Sequence, residues 1–240
     1  MKTQSLSLIL LLFAISCSNT SVPELKFGGL KGDVISCKEF KYEAEEKFGE
    51  IVPDELEDVI IYEFDKDGHQ IKFGVYDGDG DLIHKYEDTY EKGVLVSRIF
   101  GYRDERTESR VIERKKNYVK WCYKIGTIDE YTTEVFYRKN SFCEIQDNGE
   151  KIVDLVFDKK GRPIDQIWYY SHGKILNRSL YEYNEKGLLV KTIQYSDFDE
   201  EGDVLTYQYT EFDKKGNWIT SHVYVNGDLT WITKREITYR

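Results

Sequence analysis

FDKKGNWI, residues 212–219, sets an Asp and a Gly three positions apart between two aromatic residues. Alone, it could be a ligand loop or a turn. Four other stretches carry a related pattern: YEFDKDGHQI (62–71), YEKGVLV (90–96), LVFDKKGRPI (155–164) and YEYNEKGLLV (181–190). Each joins an aromatic or apolar run, then Asp, Asn or Glu, then Gly, to a second such run. Asp or Asn opening a turn accepts a hydrogen bond from backbone two residues on. Gly takes the φ > 0 position that closes a hairpin. A second set of short Gly turns alternates with the first: DGDG (77–80), NGE (148–150), SHG (171–173), DEEG (199–202) and NGD (226–228). The unit is therefore strand, acidic-x-x-Gly turn, strand, short Gly turn.

Between turns the residues are strand formers, and they alternate with period two. In NWITSHVYV (217–225), Trp218, Thr220, His222 and Tyr224 are predicted to share one face. The middle of the chain, 103–148, keeps this composition around KKN and RKN turns. The rival element is a helix over KEFKYEAEEKFGE (38–50), rich in Glu and Lys, whose apolar spacing starts as a strand and then drifts. The count is about fifteen strands in sequence order, the signature of an all-β meander. The predicted fold is an antiparallel meander of repeated hairpins forming a long, curved, partly single-layer sheet, with a rolled barrel as the alternative. More than about ten strands must curl, split or close. A transmembrane barrel fits less well, because charges recur on both strand faces.

The ends set the cellular context. MKTQSLSLILLLFAISC opens with one Lys and an uncharged run over 8–15, too short to span a bilayer as a helix. The stretch Ala14-Ile15-Ser16-Cys17 resembles the lipobox of bacterial lipoproteins, although Ala14 stands where that family favours Leu. The resemblance implies a signal peptide over 1–16 and lipid attachment at Cys17; a tether over 17–29 then leads to the single β-repeat domain expected over 30–240. The resemblance places the protein on the cell envelope, at the outer membrane of a Gram-negative bacterium. The net charge of −10 lacks the basic footprint of a nucleic-acid binder.

Three cysteines remain: Cys37, Cys122 and Cys143. In a meander, one strand separates Cys122 from Cys143. Two strand spacings are about 9.6 Å, beyond the roughly 7 Å Cα limit of a disulfide. Buried thiols are the expectation.

YEFDKDGHQI, YEYNEKGLLV and TEFDKKGNWI resemble the YD or RHS-type repeat, and the related hairpin repeats of envelope lipoproteins of Gram-negative anaerobes. The resemblance covers about 55–102 and 150–240. It implies a curved antiparallel sheet acting as a scaffold, with no enzyme activity.

Two constellations could bind. Asp77, Asp79 and Asp81 are spaced like the first three ligands of a Ca²⁺ loop, with Asp88 at the twelfth place. Leu82 stands where that loop needs Gly, and a Gly-rich hairpin turn explains the same residues. Exposed aromatics are the second signal: Trp168 with Tyr170, and Trp218 with Tyr224 and Trp231. Such rings serve glycan or protein contacts, or cross-strand packing. His69, His84, His172 and His222 form no metal or triad spacing. The functional expectation is a non-enzymatic binding or scaffold lipoprotein meeting an envelope protein or glycan, the alternative being a secreted glycan-acting hydrolase.

Overall fold

A computed structural model describes residues 30–103, 105–125, 129–138, 142–196 and 199–240. The signal peptide, Cys17 and the tether lie outside them. The described chain is all-β: β1 (Val34–Lys47), β2 (Glu50–Phe64), β3 (Gln70–Asp77), β4 (Leu82–Glu91), β5 (Val94–Tyr102), β6 (Glu105–Lys115), β7 (Tyr118–Ile125) and β8 (Asp129–Arg138). They are followed by β9 (Phe142–Asp147), β10 (Glu150–Phe157), β11 (Pro163–Tyr169), β12 (Ile175–Tyr183), β13 (Leu189–Ser196), β14 (Asp199–Phe212), β15 (Trp218–Val225) and β16 (Asp228–Tyr239). The segment with the rival helical reading lies in β1, β2 and the turn between them. Each strand pairs antiparallel with the next, and β1 pairs with β16 from Val34↔Tyr239 to Glu43↔Trp231. The curved single sheet thus rolls until its first and last strands meet. The two forms weighed from the sequence are one sheet before and after its edges join.

Turn chemistry explains the meander. At Asp65, Asp77, Asp158, Tyr170, Asn184 and Asp213 the carbonyl accepts from a Gly N–H three residues on, at 2.8–3.2 Å. The N–H of each donates to the carbonyl four residues on. Asp65, Asp158 and Asp213 add a carboxylate oxygen that takes two backbone N–H groups of the same loop. These are three-residue hairpin loops closed by Gly in the left-handed region, for instance Gly216 at φ 79°. The second class is a two-residue turn with both φ positive: Phe48-Gly49, Lys92-Gly93, Asn148-Gly149 and Asn226-Gly227. The sequence grouping is corrected at four places. Gly93 belongs to the short class, and Gly80 and Gly173 to the long one. DEEG lies inside β14, with Gly202 in the left-handed region and a Cβ there only 2.8 Å from the Tyr195 ring.

Alternation sorts the faces. On β6, Thr107 and Ser109 are buried while Arg106, Glu108 and Arg110 are exposed. The inward positions assemble a core of Leu95, Val119, Trp121, Val135, Ile145, Val153, Leu155, Phe157 and Trp168. An aromatic ladder crosses β2 to β4, with Tyr62 5.4 Å from Phe73 and Phe73 5.0 Å from Tyr86 between ring centroids. Beside it, Arg98 donates to both Asp88 oxygens at 2.5 and 2.6 Å, fully buried, and lies 4.1 Å over Tyr86. Removing one member of such a pair leaves a buried charge, at a cost of about 3–5 kcal/mol. The opposite face carries cross-strand ion pairs such as Lys72–Glu63 and Lys191–Glu182. Exposed pairs of that kind contribute about 0–1 kcal/mol each.

The seam uses the opening motif. Asn217, buried, accepts from the Lys31 N–H at 2.7 Å and donates Nδ2 to the Lys31 carbonyl at 2.9 Å and to Tyr239 Oη at 2.7 Å. Tyr239 in turn donates to Asp213. Below this latch, Arg235 binds Glu39 at 2.5 Å and lies 3.4 Å over the Trp218 ring.

Candidate binding surface

β1 and β2 are longer than their neighbours. The β1–β16 register stops at Glu43, and the β2–β3 register begins at Asp58. Between those points the two strands pair only with each other, from Ala44↔Pro53 to Lys47↔Glu50. At about 3.3 Å per residue, Ala44–Lys47 carries this finger roughly 13 Å past the last β1–β16 pair. Its apex is Phe48-Gly49, with Phe48 fully exposed at φ 57° and Ile51 43% exposed. From 43 to 55 the finger holds six carboxylates, Glu43, Glu45, Glu46, Glu50, Asp54 and Glu55, against Lys47 alone. Lys47 bridges Glu45 and Asp54 at 2.5 and 3.2 Å.

At the foot of the finger a cleft of about 560 Å³ is lined by Glu43, Glu55, Leu56, Glu57, Asp58, Gly78 and Asp79. The β3–β4 loop forms its wall because Gly78 lies against β2: a Cβ there would sit 1.9 Å from the Leu56 carbonyl oxygen. Lys41 meets Glu57 at 2.6 Å and Asp58 at 3.7 Å, and lies 4.0 Å over the Trp231 ring. Burial opposes the charge on Glu57, but Lys41 and the indole of Trp231 hold its carboxyl below the ordinary value. The cleft is lined by five carboxyl side chains and by no cationic one. It suits cationic groups.

The residues singled out from the sequence separate. Asp79 lines this cleft. Asp77 caps its own turn, accepting from the Asp81 N–H at 2.9 Å, and Asp81 is exposed. Asp88 stands apart inside the ring, with both oxygens engaged by Arg98. A second acidic group, Asp65, Asp67 and His69, gathers ligand atoms within 4.8 Å, yet Asp65 is committed to its own loop. Asp147 is a half-buried carboxylate that burial pushes up, held by the Tyr123 and Thr133 hydroxyls at 3.1 and 3.3 Å.

The aromatics divide likewise. Trp168 belongs to the core, and Trp218 is buried under Arg235. Tyr170 stacks on His172 at 5.3 Å beside its turn, and Tyr224 donates to Gln208 at 3.2 Å. Only Trp231 reaches the cleft region, through Lys41 and Glu57. Trp218 and Tyr224 do not share a face as alternation predicts. The register shifts between Tyr209 and Glu211, opposite Ser221 and Thr220, and the burial order over β15 runs those two buried residues together. Cys37 is a fully buried free thiol, pushed up to about 12 by burial, and Cys122 is also free. β8 separates β7 from β9, while the side chain of Cys143 lies outside the described residues.

The finger was not singled out by sequence reasoning. Its signal was Phe-Gly inside a charged run, where the other turns of this class place Lys or Asn before Gly.

No family model matches the chain, and no curated protein matches it by sequence. Among solved structures, a porin-like protein from Bacteroides uniformis is similar at 13% identity and a TM-score of 0.36, covering 92% of this chain and 100% of that one.

Proposed function

We propose that the chain is a lipid-tethered envelope protein with a non-enzymatic binding role. The observation that carries the binding role is the finger and its cleft, an acidic, apolar-tipped projection joined to an otherwise closed and self-satisfied sheet. A closed ring has no free edges to protect, so an overshoot of two paired strands serves no closure. The tether rests on the sequence ending at Cys17. The repeat hairpins act as the scaffold that presents this end, and the bound species is an envelope protein or glycan with cationic character.

Membrane fractionation of wild type against Cys17→Ser tests the tether. Wild type stays with the membrane and the variant is released. A Cys17→Ser chain that remains membrane-bound rejects lipid anchoring. Capture from envelope extract on the acylated protein tests binding, with Cys17→Ser as the untethered control. Recovery of nothing beyond a bare-resin control rejects the binding role.

A further inference from the structure

The finger presents three properties together. Its apex is a fully exposed Phe48 with Ile51 close behind. Beyond Glu43, β1 pairs with no strand but β2, so its outer backbone edge is open to strand addition. Its side chains are acidic, and the cleft at its foot adds Glu57, Asp58 and Asp79.

Each property narrows the occupant. Phe in the first position of a two-residue turn occupies a backbone region that bulky side chains seldom adopt. Lys92, Asn148 and Asn226, all polar, fill the same position elsewhere in this chain. A large apolar side chain held outward in water there serves contact rather than turn formation. The carboxylates exclude two occupants of the free edge. A second copy would set one acidic strand against another, and an anionic bilayer surface would be repelled. Pro53 also lacks the N–H that self-pairing along β2 would use. What remains complementary is an extended chain with Lys or Arg on one side and an apolar residue beside Phe48.

We infer that the β1–β2 finger docks an extended basic segment of a partner protein, packing an apolar side chain of that segment on Phe48. The inference rests on the proposed binding role and names its partner chemistry. The segment adds along the β1 edge of the finger, its cations meet Glu45, Glu46 and Glu50, and its flank reaches the acidic cleft.

The test uses the mature chain with Cys17→Ser, titrated calorimetrically with an alternating Lys–Leu peptide. Lys–Ser and Glu–Leu peptides are the controls. Lys–Leu binds; Lys–Ser binds more weakly and Glu–Leu not at all. Phe48→Asn and, separately, the double change Glu46→Lys with Glu50→Lys each weaken Lys–Leu binding by roughly tenfold or more, with the unfolding midpoint not lowered. Equal Lys–Leu affinity in Phe48→Asn overturns the inference. So does equal binding of Lys–Ser, or uptake of phosphatidylglycerol vesicles that depends on Phe48. If Phe48→Asn still captures the envelope component that wild type captures, the finger assignment fails while the binding role stands. If wild type captures none, the binding role itself fails.

Discussion

Two turns of this molecule repay comparison: Asp213–Asn217 and Phe48-Gly49. Both join long antiparallel strands, and both place Gly in the left-handed region. The first is wired into the ring. Asp213 caps its own loop, and Asn217 ties that loop to Lys31 and Tyr239 across the seam. The second touches nothing beyond its own hairpin neighbours, and its largest side chain faces water. A turn sequence therefore specifies the reversal of the chain. Whether the turn becomes structure or surface depends on what the rest of the fold brings against it.

The comparison can be broken at the seam first. Glu39→Ala leaves the Arg235 guanidinium, 8% exposed at its side chain, without its carboxylate. A loss of about 3 kcal/mol is expected, read as a lower denaturant midpoint. An unchanged midpoint means the seam carries no stability of its own. Asn217→Ala removes three side-chain hydrogen bonds of a buried group. About 2 kcal/mol is expected, with faster amide exchange at the ends of β1 and β16 before the rest of the sheet.

Acid should act on the loop caps next. Burial works against the charged forms of Asp65, Asp158 and Asp213, but hydrogen bonds from backbone and side chains within reach hold all three below the ordinary carboxylate value. Their folded pKa values are depressed, so the ionised caps stabilise the fold above the unfolded value of about 3.9. That contribution declines as pH falls from about 5 through the folded values. Asp213→Asn should flatten this slope, and an unaltered acid profile would show that the cap contributes little.

The smallest effect belongs to the finger. Phe48→Asn puts a residue suited to the left-handed region at the apex. Stability should stay within about 0.5 kcal/mol or rise slightly. A loss above about 1 kcal/mol would mean that Phe48 packs in solution and that the two turns are alike after all.

Much of the architecture was legible because hairpin turns are local. Asp, Asn and Gly at fixed offsets report backbone conformation directly, so Asp65, Asp158, Asn184 and Asp213 were read in their correct role. Reading was poorer where spacing alone had to choose the turn type. Gly93, Gly80 and Gly173 changed class because the loop length depends on which residues enter the ladder. The Asp77, Asp79, Asp81 and Asp88 set looked like one loop in sequence, but the strand beginning at Leu82 carries Asp88 away to Arg98. Of the chosen aromatics, only Trp231 lies by the cleft, since indoles on strands look the same in sequence whether they face the core or water.

By itself, the sequence determined an all-β hairpin meander, the places where it reverses and the residue types that close each turn. Those features depend on interactions a few residues apart. The tertiary structure decided that β1 meets β16, that Asn217 is a latch, that Asp88 is buried with Arg98, and that one hairpin overshoots the ring. Each of these depends on curvature summed over all the strands and on strand-length differences. A local pattern of alternation and turns carries neither.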